Sequence, residues 1–299
     1  MAKRKKVPFY KKPVFWIVTL LVILILLVGA VLALENWIKG LDLDIHTPDP
    51  TKTPTSQEAP EEKPTEPEEE PITPNPYTPV DFTMDEETGE MTLDASMGKA
   101  VKGIDVSVWQ GNIDWKKVKD SGVEYVMIRV GGRGTDNGEI YADKNAQKNY
   151  EGAKKAGLKI GTYFFSQSIT EQEAIEEAKY TLEAIEDWDV DMPVVYDWEY
   201  VDDEARSVEV DARSLTDMAK VFCDTVRNAG YDPMIYFGRS HSVDLLILEE
   251  LTEYQFWLAM YSPIMDYPHR VDMWQYTETG SVPGIKGNVD MNLWFIYED

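Results

Sequence analysis

Two kinds of hydrophobic pattern divide the chain. An uncharged apolar run extends from Val14 to Leu34, whereas short apolar segments alternate with amphipathic ones from about residue 100 onward. Residues 35–99, between these two parts, are rich in proline, threonine and acids. The distribution predicts a membrane-length helix, a linker and one large α/β domain over residues 100–299.

The strand patterns of the domain are short runs of β-branched and aromatic residues. Eight are found, at residues 103–107, 123–130, 158–165, 194–199, 234–237, 256–260, 271–276 and 289–295. Amphipathic helices are predicted after the first four strands and a short helical stretch after the fifth, with little helix between the last three. Strand–helix alternation predicts parallel strands, and eight strands favour a closed barrel over an open sheet.

Helix boundaries come from capping residues. Asp143 is predicted to cap a helix that ends at Gly157, and Thr170 opens a capping-box pattern with Glu173. Cys223, the one cysteine in the chain, lies on the apolar face of a later helix. It is therefore predicted to be a buried, inert thiol, and no internal disulfide is possible.

Two acids follow a buried strand at Asp197 and Glu199. Strand side chains alternate, so these two carboxyl groups share one face, roughly 6–7 Å apart along the chain. Each disfavours ionisation of the other and burial adds to the effect, so one should hold a proton near neutral pH. A protonated acid beside an ionised one can cleave a glycosidic bond. The alternative is a solvated acidic turn at the end of the strand.

Two further acids, Asp105 and Asp290, are predicted at the same barrel mouth, at the carboxyl ends of their strands. Asp105 lies within an apolar strand, where an unpaired charge would be costly. Four carboxyl groups at strand ends are difficult to explain by structure alone. For Asp290, a purely structural role is the alternative to a role in the active site.

Charge and composition exclude several functions. The formal net charge of −25 argues against nucleic acid as a partner. The three histidines, His46, His241 and His269, have no ligand spacing, so no metal site is predicted. No Gly-x-Gly-x-x-Gly pattern follows a strand, and Gly131–Gly134 lacks the ending of a phosphate loop. No cofactor is therefore expected.

The N-terminal region is predicted to be a membrane anchor. Residues 1–13 are basic and should form a cytoplasmic tail, and residues 14–34 would span about 31 Å as a helix. The positive flank places residues 35–299 outside the cell. A cleaved signal peptide with a site near Ala33 is the competing interpretation, although its apolar core would be unusually long. The protein would then be secreted.

Residues 35–99 are predicted to be an extended extracellular linker. Ten prolines occur from His46 to Pro79, and acids greatly outnumber lysines. Such a segment buries too little apolar surface to fold alone, and proline and like charges extend it. Its Pro-x-x-Pro spacings fit a spacer better than docking motifs. Residues 80–99 are open between packing on the domain edge and extending the linker.

An ordered set of motifs resembles glycoside hydrolase family 25, the lysozymes of the Chalaropsis type. The matching segments are Lys102–Ser107 with Trp109-Gln110, Ile113–Trp115, Ala156–Leu158 leading into Gly161–Tyr163, Asp197–Glu199, Ile235-Tyr236, Trp257–Ala259 with Tyr261, Trp274–Tyr276 and Val289-Asp290. Each motif is weak alone, but the set covers nearly all of residues 100–299 in the order of the family.

The resemblance implies a TIM-like barrel of five β/α units followed by three strands, (β/α)5(β)3. It implies a muramidase that cleaves the β-1,4 bond between N-acetylmuramic acid and N-acetylglucosamine in peptidoglycan. Glu199 would be the general acid and base, and Asp197 would assist the acetamido group, although a direct Asp197 nucleophile stays open. Asp105 and Asp290 would position sugar and water.

Four aromatic side chains are candidate sugar contacts, Tyr163, Tyr236, Tyr261 and Trp274, with core packing as the alternative for each. Many family members have Tyr-His-Phe on the third strand, whereas this chain has Tyr163-Phe164-Phe165. The tyrosine hydroxyl is retained, and the missing imidazole puts only the fine substrate preference in question.

Two other functions compete with the muramidase. A non-catalytic, wall-binding scaffold on the same barrel would not need a buried proton donor. A chitinase-like hydrolase of other acetamido sugars would carry more acids along one strand than are present before Asp197. A tethered wall hydrolase would suit local opening of the cell's own wall, beside an unknown wall-spanning assembly partner.

Overall fold

The computed structural model describes residues 72–240 and 245–297. The predicted membrane helix at residues 14–34, the first part of the linker, His46 and His241 lie outside these ranges. Within the described ranges, no helix has both the length and the apolar character needed to cross a bilayer.

Eleven strands are present in the described residues: β1 Phe82–Met84, β2 Met91–Leu93, β3 Lys99–Val106, β4 Tyr125–Arg133, β5 Ile140–Ala142, β6 Lys159–Ser166, β7 Val194–Trp198, β8 Pro233–Gly238, β9 Gln255–Ala259, β10 Met273–Gly280 and β11 Val289–Ile296. Eight of them close into a barrel in the order β3-β4-β6-β7-β8-β9-β10-β11, because β11 pairs back onto β3. The eight-stranded α/β barrel expected from the sequence is thus confirmed. The short strand β5 extends the sheet beside β4.

The direction of β11 differs from the expectation of parallel strands throughout. It runs antiparallel to both neighbours, β10 and β3, whereas the other barrel strands pair in parallel. The physical reason is the short connection at residues 281–288, since a parallel return needs a crossover of a dozen or more residues. The start of β11 therefore lies at the barrel end where the other strands finish.

Four α-helices lie in the described residues: α1 Trp115–Asp120, α2 Ala146–Ala156, α3 Glu171–Ala184 and α4 Ala212–Asn228. They lie between successive barrel strands from β3 to β8. After β8 the described residues contain only a 3-10 turn at Leu248–Glu250, and the last strands follow without helices. In its described residues, the connection between β8 and β9 thus contains this turn and no α-helix.

Capping agrees with the sequence at two of three helix ends. Thr170 accepts a hydrogen bond from the Glu173 backbone, and Gly157 ends α2 with a left-handed φ of 77°. Asp143 is the exception, because α2 begins later with Asn145 as its N-cap. The carboxylate of Asp143 is instead bound by Arg129, 2.9 Å away. Asp143 Oδ1 also accepts from the Asn145 backbone N–H at 2.9 Å, so Asp143 both stabilises the turn before α2 and pairs with a partly buried cation.

Two apolar layers flank the barrel wall. The smaller layer fills the interior with Val101, Tyr125, Met127, Met192, Val195, Met234, Tyr236, Trp257 and Met273. The larger one lies between the strands and the helices and contains Tyr196, Phe222 and Trp274. Alternation along β10 therefore puts Trp274 outside and Gln275 inside, and alternation along β7 puts Tyr196 outside and Asp197 inside.

Residues 72–99 pack against the barrel. Strands β1 and β2 form a hairpin, and Phe82 makes edge contacts with Trp274 and Phe295 at ring distances of 5.3 and 6.0 Å. Pro74 bridges to His269, near the end where the parallel strands begin. The packed unit therefore starts before residue 100. The segment also reaches the barrel at the end opposite the acidic mouth.

Candidate active site

Four acids meet at the mouth of the barrel. Asp105 and Asp197 are each the next-to-last residue of their strands, and Glu199 follows β7 directly. Asp290 is the second residue of β11 and lies opposite Asp105 in the pairing register. The sequence pattern predicts Asp290 at the carboxyl end of a strand. It lies instead at the amino end of an antiparallel strand, which reaches the same mouth.

Asp197 and Glu199 interact directly. Their side chains are hydrogen-bonded to each other, which confirms that they share one face. Burial raises the pKa of both carboxyl groups above the ordinary range, and the neighbouring acids raise it further. The pKa of Asp197 is raised more strongly, because that side chain is only 4% exposed and Glu199 is partly exposed. The two groups therefore titrate as one coupled pair, which holds a proton more tightly than an isolated carboxyl group would.

Asp105 and Asp290 form a second carboxyl pair. Burial raises the pKa of Asp290 to about 9, and the negative charge of Asp105 adds to that rise. Asp290 is therefore protonated at neutral pH and donates a hydrogen bond to Asp105. The mouth thus contains two carboxyl pairs, each arranged around a shared proton.

Two buried amides hold Asp105 in place. Gln275 Nε2 and Asn292 Nδ2 both donate to Asp105 Oδ2, at 2.9 and 2.8 Å. Gln275 Oε1 accepts hydrogen bonds from the hydroxyls of Tyr236 and Tyr261, each at 2.9 Å. The donors lower the pKa of Asp105, although burial outweighs them and the net direction is upward.

Arg129 supplies positive charge at the mouth. It lies on β4 and lowers the pKa of both Asp197 and Glu199 through its charge. Its guanidinium is held by Asp143, whose carboxylate is fully buried and also accepts from the Val108 backbone at 2.8 Å. This ion pair connects the acid pair with the turn that follows β3.

Three of the four predicted aromatic contacts lie at the mouth. Tyr163 is partly buried beside Trp257, Tyr236 is buried, and Tyr261 is 52% exposed. Trp274 is the correction, because it is fully buried in the outer layer. Its indole nitrogen donates to the Met260 carbonyl at 2.9 Å. Trp274 is therefore a core residue, whereas the indole of Trp257 lies inside the barrel with Tyr125 and Tyr236.

A buried network supports the loop after Glu199. Gln167 Nε2 donates to the Glu199 carbonyl at 2.7 Å, and Gln167 Oε1 accepts from Ser207 at 2.7 Å. Arg206 binds the Gln167 carbonyl at 2.8 Å and pairs with Glu173 on α3. The backbone of Glu199 is thus fixed from the ends of β6 and β7 and from α3.

Sequence reasoning missed several residues of this site, among them Arg129, Gln167, Gln275 and Asn292. Gln275 was visible inside the Trp274–Tyr276 motif, and alternation alone would have put it on the face opposite Trp274. The roles of Arg129 and Gln167 carried no local signal. In the described residues, no cluster of histidine, cysteine, aspartate and glutamate has a geometry that would hold a metal.

Comparisons with known proteins agree with this architecture. The family model described as glycosyl hydrolases family 25 matches residues 104–285. An autolytic lysozyme of Clostridium acetobutylicum is 30% identical over 195 residues, which cover 64% of this chain and 55% of that protein. Lysozyme M1 of Streptomyces globisporus is 27% identical to this chain. The alignment covers 68% of this chain and 70% of lysozyme M1. The chain thus spans about half the length of the first of these relatives.

Solved structures show the same fold. The modular autolysin LytC from Streptococcus pneumoniae, solved with a synthetic peptidoglycan ligand, aligns with a TM-score of 0.59 at 26% identity. That alignment covers 72% of this chain and 52% of LytC. A bacterial lysozyme from Streptomyces coelicolor aligns with a TM-score of 0.52 at 26% identity, covering 66% of this chain and 92% of that one. With the family model matching well over half of its residues, the chain belongs to glycosyl hydrolases family 25.

Proposed function

We propose that this protein is a peptidoglycan hydrolase, a muramidase that cleaves the β-1,4 bond between N-acetylmuramic acid and N-acetylglucosamine. The observation that carries the proposal is the hydrogen-bonded Asp197–Glu199 pair at the barrel mouth, with both pKa values raised. Membership of the family and the lysozyme relatives support the substrate class.

The reaction begins with Glu199 as general acid. It donates its proton to the glycosidic oxygen as the bond from that oxygen to the anomeric carbon breaks. The carbonyl oxygen of the substrate's own acetamido group attacks the anomeric carbon and forms a cyclic intermediate. Ionised Glu199 then takes a proton from water, whose oxygen opens the ring and completes hydrolysis.

Asp197 orients the acetamido group. Its Oδ1 is buried and accepts no hydrogen bond from a backbone, amide or hydroxyl donor of the described residues, so a substrate N–H brought against it would supply the missing donor. An N–H donor stabilises the ionised form of Asp197. Substrate binding therefore favours the arrangement in which Asp197 is ionised and Glu199 carries the proton. Asp105 and Asp290 position the sugar and water beside this pair.

The test is digestion of purified peptidoglycan, with mass analysis of the products. A muramidase releases new reducing ends on N-acetylmuramic acid, and reduction with borohydride labels them. A glucosaminidase would put the label on N-acetylglucosamine. A wall-binding scaffold would sediment with the glycan and release no fragments, which would contradict the proposal.

We also propose that residues 14–34 anchor the protein in the cell membrane as a single-pass helix, with residues 35–299 outside. The uncharged run and its basic flank support this topology. Near the start of the described residues, Pro74 pairs with His269 at the barrel end opposite the mouth. Cell fractionation with mass measurement of the N-terminus tests it, and a product starting after Ala33 would instead indicate secretion.

A further inference from the structure

Gln275 connects the floor of the mouth with its rim. The side chain is 3% exposed, and its Nε2 donates to Asp105 while its Oε1 accepts from Tyr236 and Tyr261. Asp105 offers only acceptors when ionised, which fixes the NH2 group of Gln275 toward it. The carbonyl oxygen then faces the two phenol hydroxyls. The amide is thus held in one orientation by three partners.

Asn292 is fixed independently. The indole of Trp257 is a donor only, and its Nε1 donates to Asn292 Oδ1 at 2.9 Å. Asn292 Nδ2 therefore points at Asp105 Oδ2, the oxygen that Gln275 also binds. Both amide donors converge on one oxygen, and Asp290 provides the remaining side-chain hydrogen bond to this carboxylate.

The electrostatic surroundings of Asp105 make these donors important. The titratable groups that face it from the neighbouring elements are Asp290 on β11, Tyr125 on β4, Tyr163 on β6, Asp197 and Glu199 at the end of β7, Tyr236 on β8 and Tyr261 after β9. All of these are acids or phenols, and the cation at the mouth, Arg129 on β4, is paired with Asp143 and lowers the pKa of Asp197 and Glu199. In the described part of the chain, hydrogen bonds are what favours the ionised form of Asp105.

Exposure changes sharply along this chain of contacts. Tyr261 is 52% exposed at the rim, whereas Asp105 is 4% exposed, and only Gln275 separates them. We propose that Gln275 is a positioning residue that stabilises the ionised form of Asp105 and couples it to an N-acetylated sugar bound at Tyr261. The inference rests on the proposed hydrolase function, because the coupling requires a substrate sugar bound at Tyr261.

The main test compares Gln275→Met, which keeps the length of the side chain but removes its hydrogen bonds, with Asn149→Leu. Asn149 is an equally buried amide on α2, away from the mouth. For Gln275→Met we expect kcat on peptidoglycan to fall about tenfold to a hundredfold, with KM nearly unchanged. The acid limb of the pH profile should move to higher pH by about one unit, because Asp105 loses a donor. Asn149→Leu should change neither.

The coupling is tested with Tyr261→Phe, which alters a half-exposed residue and leaves the fold intact. The single variant Tyr261→Phe should raise KM and, like Gln275→Met, move the acid limb of the pH profile to higher pH. Combined with Gln275→Met, it should still raise KM but shift the pH profile no further, since its link to Asp105 is already broken. Independent pH shifts that add in the double variant would overturn the coupling.

The outcomes separate this inference from the proposed function. An inactive wild-type protein would end both. An active wild type whose Gln275→Met variant keeps its kcat and pH profile would end only the inference. If Gln275→Met fails to fold, Tyr261→Phe decides alone, and an unmoved acid limb there counts against the proposal. Carbon NMR titration of the Asp105 carboxyl gives a readout without turnover, and its pKa should be higher in either variant.

Discussion

Asp290 lies opposite Asp105 across the antiparallel β11–β3 pairing, and the two carboxyl groups share a hydrogen bond. The relationship depends on the one reversed strand of the barrel, which brings the start of β11 to the mouth. Since the pKa of Asp290 is raised to about 9, it acts at neutral pH as a neutral donor beside a charged acceptor.

A neutral donor at this position can be an amide as well as an acid. Asp290→Asn should therefore retain most of the activity at pH 7, whereas Asp290→Leu should lower kcat about tenfold by removing the donor to Asp105. Rates on soluble peptidoglycan fragments measure the difference. Equal losses in both variants would show that Asp290 reacts as an acid or base itself.

Asp290 also gives a pH dependence of stability. Its folded-state pKa of about 9 exceeds the unfolded value of about 3.9, so the folded state binds the proton more tightly. This contribution to the free energy of unfolding is complete below about pH 4 and is lost as pH rises toward 9. Asp290→Asn should thus melt above the wild type at pH 8, with the two converging near pH 4. A difference that grows toward acid pH would contradict the assignment.

Glu199 is predicted to carry the proton that cleaves the bond. Glu199→Gln should fold normally and lose lytic activity by about a hundredfold to ten-thousandfold, the usual contribution of general acid catalysis. Glu204→Gln is the matched control, because Glu204 is an exposed acid on the same loop. The control should retain wild-type turnover, and near-normal turnover by Glu199→Gln would remove Glu199 from this role.

The barrel and the acids at its mouth were predictable from the sequence. The alternation of strand and helix patterns, the number of strands and the acids next to them can all be read along the chain. The direction of β11 was not predictable, since a period of two is the same for either direction, and only the short loop before it decides. Trp274 shows a related limit. Alternation separates it from Gln275, but which of the two faces inward depends on the register of β10 with its neighbours.

Other features had no local signal. Asp143 has the sequence context of a helix cap, but its partner Arg129 comes from β4 and becomes adjacent only in the folded barrel. Tyr77, Phe82 and Met91 are isolated apolar residues among acids and prolines, so composition places Tyr77 in the linker and leaves Phe82 and Met91 open between the linker and the domain edge. Their burial follows from the apolar patch formed by Trp274 and Phe295.

The Arg129–Asp143 pair is predicted to contribute to both stability and acidity at the mouth. Arg129→Met leaves a fully buried carboxylate without its cation and should cost about 3–5 kcal/mol in unfolding free energy. The pKa values of Asp197 and Glu199 should rise, because the Arg129 charge lowers both. Urea unfolding and the pH profile measure these effects.

Two comparisons make this prediction specific. Arg129→Met with Asp143→Asn should recover part of the lost stability, because the uncompensated charge is gone. Arg213→Met removes a surface arginine that is paired with Asp217 and Glu250 and 45% exposed, and should cost less than about 1 kcal/mol. If Arg129→Met lowers the unfolding free energy by no more than Arg213→Met does, Arg129 and Asp143 do not form a stabilising ion pair in solution.

Residues 72–99 should behave as part of the barrel domain. A chain that starts at residue 72 should be more stable than one that starts at residue 100, because the shorter chain uncovers Trp274 and Phe295. Within the longer chain, Phe82→Ala should cost about 3–5 kcal/mol, as for other buried phenylalanines, while Val80→Ala, at an 88% exposed position, should cost almost nothing. Neither variant should change KM, since Phe82 packs in the outer apolar layer and Val80 is exposed. If the two chains have the same unfolding free energy, residues 72–99 do not stabilise the barrel and belong to the linker.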